Sequence, residues 1–299
     1  MRKLLFAALL AGASTPAFAQ FGGPPSPYAP LPDHPSCTRD ELKAATTAYV
    51  EAQRTGDISR LPLDAKAHFL ENMNTVEKTA GLWNTALPIA NAQSFHDDLR
   101  CKTFTEIVVT DGGHPYVIGT RLYMDKGKVL RVDSLVTDKG DWLFNANAYL
   151  KYTRQEGNWG PLGKYQLSDP GEMVAGANAY LSSFSDKFMH VPWGTPCARL
   201  EGGAYTNRDN KPDASCEVGI PAGVLYIVNR DYLIDTEKGV INVFCRFGNS
   251  TSGMPDSHTF RYIDGKIRGV HTLSVNLTDT PSPQANDEGG MVGGPPPKG

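Results

Sequence analysis

The sequence predicts an α+β fold made of two tandem cone-shaped domains, each a curved antiparallel sheet wrapped on helices. Two observations indicate this fold. The same order of elements occurs twice, with an amphipathic helix, a strand that carries a carboxylate, and then long β-rich runs. The roughly 280 residues that follow an N-terminal leader also exceed the length of one usual domain. We therefore expect an internal duplication.

The N-terminus has the pattern of an export signal. Arg2 and Lys3 precede an apolar run from Leu4 to Leu10, and Ala17-Phe18-Ala19 forms a small-x-small cleavage site. This order is typical of a secretory signal peptide over residues 1–19, so we expect a periplasmic or secreted protein. The apolar run is too short for a bilayer core of about 30 Å, and no later stretch approaches about 20 apolar residues. No membrane partner is expected.

Charge and motifs exclude several function classes. Loss of Arg2 and Lys3 with the leader leaves 27 Lys and Arg against 32 Asp and Glu, a net charge of −5. The chain has no basic stripe, so nucleic acid is not an expected partner. It also lacks P-loop and dinucleotide-binding glycine patterns, a G-x-S-x-G elbow, and C-x-x-C or H-x-x-x-H spacing. We therefore predict no cofactor and no metal.

The five cysteines are disulfide candidates in an oxidising compartment. The sequence does not fix their pairing. We favour Cys197–Cys216, which closes a loop rich in Gly, Asn and Asp, and Cys37–Cys101, which ties the first helix to the first sheet. Cys245 lies in an apolar run and is interpreted as a buried free thiol.

The first copy opens with a predicted helix over Thr38–Gly56. Thr38 and Glu41 form a capping box, and Gly56 is a natural stop. Apolar residues recur at a spacing of three and four, which places them on one helical face, namely Leu42, Ala45, Tyr49 and Ala52. A strand-like segment, Ala67–Met73, follows.

The second copy opens with a predicted helix over Asp169–Asp186, with Asp169 as N-cap and Pro170 at the first helical position. It has a similar apolar stripe and repeats the "AY" pair of the first helix at Tyr180. The strand-like segment Cys197–Gly203 follows, and its "RLEG" aligns with the "FLEN" of the first copy.

Each copy ends in two β-rich runs joined by an Asp-x-Gly or Asp-Gly turn, which is a hairpin signal. Alignment of Arg121–Val136 with Arg261–Val275 matches Tyr123 with Tyr262, Asp125 with Asp264, Lys128 with Lys266, and Asp133 with His271. We predict a first domain over 36–155 and a second over 156–275. The Pro/Gly-rich segments 20–35 and 276–299 are predicted to be disordered.

The order of elements resembles the SnoaL-like pattern of the NTF2 superfamily. In that order a helix is followed by a strand that carries a carboxylate and then by a sheet that ends in DGKI and HTL (264–273). Residues 37–275 also resemble a little-studied family of exported proteins found in fungi and bacteria. The segments that carry this resemblance are PWGTPCARLEGGAYT (192–206), CEVGIP (216–221), NRDYLID (229–235), PDSHTFRYIDGKIRGVHT (255–272) and GDWLFNA (140–146). The resemblance implies a helix in the concave side of each sheet, leaving a conical pocket.

The strand of the second copy carries the first candidate catalytic residues. Side chains alternate along a strand, so Arg199, Glu201 and Gly203 lie on one face. The two charges on this face must form an ion pair or contact water. One interpretation makes Glu201 an acid or base and Arg199 the contact for an oxyanion or phenolate. The other is a surface ion pair beside the Cys197–Cys216 loop. Glu71 has the same place in the first copy, and the sequence leaves both interpretations open.

Two histidines are the other catalytic candidates. His258 shares a strand face with Phe260 and Tyr262, and His271 is expected to point inward with its strand neighbours pointing out. For each the alternative is a structural role. Candidate ligand contacts are Tyr205, Tyr226, Arg230 and Asp235 in the second copy, and Glu71, Arg121 and Tyr123 in the first. The aromatic members have a core role as their alternative, and the sequence does not decide which cone is active.

Pockets of this fold host isomerases, dehydratases, cyclases, hydrolases and binders, so fold alone does not choose among them. The setting is most similar to that of the NTF2-like lyases of lignin-degrading bacteria, which release formaldehyde from aromatic dimers without a cofactor. The leading hypothesis is such a lyase with a small aromatic partner. The alternatives are an isomerase or dehydratase on a polycyclic or polyketide-like substrate, and a non-catalytic binder of an aromatic molecule. Homo-oligomerisation is left open.

Overall fold

The structure is a computed structural model that describes residues 31–217, 225–278 and 282–292. The first copy contains α1 (Arg39–Thr55), β1 (Leu63–Glu71), β2 (Asn74–Thr75), β3 (Ile89–Asp97), β4 (Lys102–Val109), β5 (Tyr116–Asp125) and β6 (Lys128–Thr137). A linking helix follows, α2 (Ala146–Glu156). The second copy contains α3 (Pro170–Ser183), β7 (Trp193–Glu201), β8 (Ala204–Tyr205), β9 (Ile227–Asp235), β10 (Val240–Phe247), β11 (Met254–Ile263) and β12 (Lys266–Ser274). The last elements are β13 (Gln284–Ala285) and β14 (Met291–Val292).

The two copies build two six-stranded sheets of the same topology. Their strand orders are β2-β1-β6-β5-β4-β3 and β8-β7-β12-β11-β10-β9. In each sheet the first long strand pairs in parallel with the last, and the other neighbours are antiparallel. The predicted α+β fold with two tandem domains is therefore confirmed, but each sheet is mixed and not purely antiparallel. The exact boundaries stay predictions, because α2 packs against β4 and β5 of the first sheet and β8 of the second.

Both helices begin as their sequences predict. Thr38 accepts a hydrogen bond from the Glu41 backbone N–H in a capping box, and α1 ends at Gly56 with a left-handed φ of 68°. At α3, Asp169 accepts a hydrogen bond from the Gly171 N–H. Each helix buries its apolar face on the concave side of its sheet, in separate cores around Tyr49 and Tyr180.

The strand registers show where the copies correspond. Glu71 is paired with Ser134 and Glu201 with Thr272, so the two glutamates occupy the same position of the sheet. This agrees with the alignment of FLEN with RLEG.

The hairpins correct one part of the sequence alignment. The β5–β6 turn closes on Asp125 and Lys128, whereas the β11–β12 turn closes on Ile263 and Lys266. Counting back from these pairs, Tyr262 corresponds to Met124 and not to Tyr123. The sequence alignment matches the two tyrosines and is therefore out of register by one residue at this point. A shift of one residue exchanges the two faces of a strand.

The two sheets pack through the faces that turn away from α1 and α3. Phe104 and Phe244 meet edge to face with their ring centroids 5.9 Å apart. Two shared apolar clusters join the sheets, one of them with α2. The concave sides therefore lie on opposite sides of this interface.

The cysteines are arranged as predicted. Disulfides join Cys37 to Cys101 and Cys197 to Cys216, and Cys245 is a buried free thiol. Among the residues that the structure describes, no helix is long and apolar enough to cross a membrane. The predicted signal peptide lies outside the described residues.

The C-terminal segment differs from the prediction of disorder over 276–299. Residues 282–292 contain the paired strands β13 and β14. The prediction from composition missed this because the hairpin is held by the rest of the protein: the Leu143 N–H donates to the Pro283 carbonyl, and the Tyr152 hydroxyl donates to the Glu288 carbonyl. Of the N-terminal segment 20–35, the structure describes only residues 31–35.

Candidate functional site

The second cone contains a cavity of about 280 Å³ between α3 and the concave face of its sheet. Its apolar walls include Leu143, Tyr180, Phe184, Tyr205, Phe247 and Met254. Its polar residues include Arg199, Glu201, Asp256, His258, Thr272 and Ser274. An apolar cavity with a few convergent polar groups is the usual form of a small-molecule site.

A buried carboxylate–imidazole pair lies in this cavity wall. Asp256 and His258 are two residues apart on β11, so both side chains point to the concave face. His258 Nδ1 lies 3.2 Å from Asp256 Oδ2, and the two side chains are 2% and 0% exposed. The Ser274 hydroxyl donates to Asp256 Oδ1 at 2.9 Å. Both carboxylate oxygens are thus engaged, and Asp256 is fixed in position to orient the imidazole.

An ion pair lies on the neighbouring strand β7. Arg199 Nε is 3.1 Å from Glu201 Oε1, with Arg199 buried and Glu201 about one-fifth exposed. Tyr180 reaches the same place from α3. Burial raises the pKa of its hydroxyl, and the nearby Arg199 only partly offsets this. The alternation predicted for this strand therefore places Arg199 and Glu201 together in the cavity.

Cys245 adds a third potential ligand to the Asp256–His258 pair. Its Sγ, a carboxylate oxygen of Asp256 and Nδ1 of His258 lie within 4.8 Å of one another, close enough to hold a metal ion. Burial raises the pKa of the Cys245 thiol well above its usual value, with the Asp256 charge acting in the same direction. The protonated thiol donates to Asp256 Oδ2 at 3.9 Å, so the three side chains form a hydrogen-bonded cluster.

The first cone has an apolar set at the corresponding positions. Matching the strand registers replaces Arg199 by Phe69, Cys245 by Ile107, Asp256 by Ile118, and His258 by Thr120. Trp83, 1% exposed, packs against Phe69 with their ring centroids 5.4 Å apart. Glu71 accepts a hydrogen bond from the Leu82 backbone N–H at 2.7 Å. Glu71, which matches Glu201, thus holds in place the segment that carries Trp83 into the first cone.

His271 does not point inward as expected. Its neighbours Val270 and Thr272 face the core and the cavity of the second cone, so His271 points to the other sheet. There Nδ1 lies 3.1 Å from Glu106, and Nε2 lies 2.8 Å from Glu156. Burial alone would lower the pKa of His271, but the two carboxylates outweigh it and raise the pKa to about 10. His271 is a charged bridge between the copies.

Three more predicted ligand contacts lie between the sheets. The fully buried Arg121 contacts Asp231 at 2.8 Å and Asn242 at 2.9 Å, and the Tyr123 hydroxyl donates to Asp231 at 2.7 Å. Asp235 accepts hydrogen bonds from Arg39 at 2.6 Å and from the His96 N–H. These charges are satisfied across the interface, so we do not assign them to a ligand.

The other predicted contacts are divided. Tyr205 lines the cavity and stacks on Tyr152 at 4.2 Å. Arg230 donates to Asn178 and Ser182 and so fastens α3 to β9. Tyr226 is exposed immediately before β9.

Sequence reasoning missed some parts of the cavity. Asp256 could have been predicted, because it precedes His258 by two residues and therefore lies on the same face of the strand. Leu143 in the linker, and Gly289 to Met291 in the C-terminal hairpin, also line the cavity. No local pattern could place those segments at the mouth of the second cone.

Comparisons with known proteins give one family match and several similar solved structures. The model of a domain of unknown function, DUF8021, matches residues 167–274, which is the second copy. No protein with a curated description matches the sequence. Solved structures that are similar include an NTF2-like protein of unknown function from Burkholderia xenovorans LB400 (17% identity, TM-score 0.27, 33% of this chain and 84% of that chain). Another is AclR from Streptomyces galilaeus (15% identity, TM-score 0.27, 34% of this chain and 81% of that chain). The chain itself has a duplicated α+β fold, with two six-stranded sheets of common topology.

Proposed function

We propose that the second cone is the active site of an exported acid–base enzyme that acts on a small aromatic molecule without a cofactor. The observation that carries this proposal is the buried Asp256–His258 pair in the wall of an apolar cavity. The first cone has isoleucine and threonine at these positions and is filled by Trp83. The two disulfides support the export part of the proposal, because such bonds persist in oxidising compartments.

His258 is the proton-transfer group in this proposal. Asp256 faces Nδ1, which leaves Nε2 for a ligand, and the carboxylate fixes the tautomer and the ring orientation. Asp256 therefore acts as a positioning residue. Positioned acid–base groups commonly contribute about 10²–10⁴-fold to a rate.

Arg199, Glu201 and the aromatic wall supply the remaining functions. A guanidinium beside a cavity stabilises a phenolate or other oxyanion that develops on a ligand. Glu201, paired with Arg199 and partly exposed, is the second acid or base. Tyr180, Phe184 and Phe247 offer ring faces and edges to an aromatic ligand.

The specific reaction that we propose is a carbon–carbon lyase reaction on a lignin-derived 1,2-diarylpropane-1,3-diol with a para-hydroxyl group. Protonation of the benzylic hydroxyl releases water, and loss of the phenolic proton gives a quinone methide. A base then takes the proton of the primary hydroxyl. The adjacent C–C bond breaks, formaldehyde leaves, and the bonding electrons restore the phenolate of a stilbene. The diol thus becomes one stilbene, one water and one formaldehyde, with no external oxidant.

A formaldehyde assay tests this function. Incubation of the mature protein with such a diol should release formaldehyde and stilbene in equal amounts. His258→Gln should lower the rate by about 10²–10⁴-fold. His114→Gln is the matched control, because His114 is a half-exposed histidine of the first copy. Absence of formaldehyde with a panel of these diols would overturn the lyase proposal.

A dehydratase is the second candidate, because His258 and Glu201 supply the acid and base that loss of water requires. A dehydratase would need only the first half of the reaction above. Water loss from a one-ring benzylic alcohol without formaldehyde, followed by ultraviolet absorbance, would identify it.

A further inference from the structure

We propose that the C-terminal hairpin and Arg208 form an outer subsite that binds an anionic group on the distal part of the ligand. This inference rests on the proposed function of the second cone. It adds that the ligand has an apolar body inside the cone and a carboxylate or phenolate at the mouth.

The hairpin is an integral wall of the cavity. Gly289, Gly290 and Met291 line it together with Arg208. The hairpin is anchored along its length, since the Tyr205 N–H donates to the Gly289 carbonyl at 2.9 Å and the Asn145 side-chain amide donates to Ala285 at 3.1 Å.

Two glycines let this wall approach its neighbours. Gly289 has a φ of +71°, and a Cβ there would lie 2.5 Å from the Tyr152 ring. A Cβ at Gly290 would lie 3.0 Å from Arg208 Nη1, so the guanidinium lies directly over the hairpin backbone. A side chain at Gly289 is therefore incompatible with the docked hairpin.

One cation of the cavity lining lies apart from the carboxylates of the cavity. Glu201 is paired with Arg199, and Asp256 accepts from Ser274 and faces His258. Arg208 is exposed, and it forms no ion pair with any carboxylate in the described part of the chain. Its positive charge lies at the mouth, in the same wall as the exposed apolar side chain of Met291. A cation beside an apolar surface suits an aromatic acid.

Binding of two unreactive probes tests the subsite separately from catalysis. The probes are 4-phenoxybenzoate and its neutral analogue 4-phenoxybenzyl alcohol, titrated into the full chain by calorimetry. The anion should bind about fivefold more tightly, the effect of an exposed ion pair of ~1 kcal/mol. Arg208→Gln should remove this preference without changing the affinity of the alcohol. Arg54→Gln, on the exposed face of α1, is the matched control and should leave both affinities unchanged.

The Gly289→Val variant of the full chain tests the role of the hairpin. Measurement of its thermal midpoint checks that the two cones remain folded. It should weaken both probes by at least fivefold. Equal binding of the two probes to the unmodified protein, a preference that survives Arg208→Gln, or no binding of either probe would each overturn the outer subsite. His258→Gln should leave the preference intact while turnover is lost, so failure of the proposed reaction is distinguishable from failure of this subsite.

Discussion

His258 occupies in the second sheet the position that Thr120 occupies in the first. His258 is paired with Thr272, and Thr120 with Ser134. The Thr120 hydroxyl lies 2.6 Å from the Tyr49 hydroxyl and 2.7 Å from that of Ser134, which closes a buried hydroxyl chain in the first cone. The same position thus has a structural role in one copy and faces a cavity in the other.

The matched glutamates give the first prediction. Glu201→Gln should keep the fold and lower turnover by about 10²–10⁴-fold, because it removes a titrating group from the cavity. Glu71→Gln should leave turnover unchanged and lower the free energy of unfolding by ~1 kcal/mol, because Glu71 accepts the Leu82 N–H. Steady-state kinetics and urea denaturation measure the two effects. If Glu201→Gln changes only stability, Glu201 is a structural partner of Arg199.

Asp256→Asn tests the positioning role. The amide keeps the shape of the side chain but can present an N–H to His258 Nδ1, so the imidazole is no longer held in one tautomer. We expect kcat to fall by about 10²-fold or more while KM changes less than threefold. Ser274→Ala, which removes one hydrogen bond to Asp256, should have a much smaller effect. A rise in KM with unchanged kcat would show that Asp256 acts in binding instead.

The duplicated fold could be predicted because its signals are local. The helix caps at Thr38 and Asp169, the repeated strand segment and the hairpin turns are all set by neighbouring residues. The pairing of Arg199 with Glu201 also followed from strand alternation.

The inter-sheet network could not be predicted, because it depends on packing between distant segments. Arg121 meets Asn242 across 121 positions of sequence, and His271 meets Glu106 across 165. No periodicity reveals which face of a strand turns to another sheet when both faces are buried. The predicted ligand contacts Arg121 and Asp235 therefore belong to the interface, and the predicted inward direction of His271 is wrong.

The Cys245 cluster gives a prediction on metal content. We expect the protein isolated without chelators to contain less than about 0.1 equivalent of zinc, copper or iron, because Cys245, Asp256 and His258 are engaged with one another within the cluster. Elemental analysis of the unmodified protein and of Cys245→Ser measures this. One equivalent of metal that is lost in Cys245→Ser would show that Cys245, Asp256 and His258 form a metal centre.

The Cys197–Cys216 disulfide gives a prediction on stability. It joins residues 19 positions apart, and a loop of this length constrains the unfolded chain by ~3 kcal/mol in the entropy model. The Cys197→Ser/Cys216→Ser double variant should lose about that much unfolding free energy in urea titrations. The Cys37–Cys101 disulfide closes a larger loop, with a separation of 64, so the Cys37→Ser/Cys101→Ser variant should lose slightly more. Equal stability of the double variants and the unmodified protein would contradict both expectations.

The His271 bridge gives a prediction on pH dependence. The pKa of His271 rises from 6.5 to about 10 in the folded protein, where Glu106 and Glu156 outweigh the opposing effect of burial. A raised folded-state pKa gives a stabilisation that is complete below pH 6.5 and is lost progressively as pH rises to about 10. Urea titrations at pH 6, 8 and 10 should therefore show a falling free energy of unfolding.

The pKa of Glu106, the carboxylate paired with His271, shifts in the opposite direction. Burial alone would raise the pKa of Glu106, but His271 outweighs it and holds the pKa below the usual 4.5. The contribution of Glu106 is therefore complete above pH 4.5 and is lost as pH falls through its lowered folded-state pKa. His271→Gln leaves Glu106 buried without its counter-charge, so it should cost about 3–5 kcal/mol at pH 6 and flatten the slope between pH 6 and 10. The half-exposed His114, changed to Gln, should alter neither quantity. An unchanged slope in His271→Gln would show that other groups of the interface carry the pH dependence.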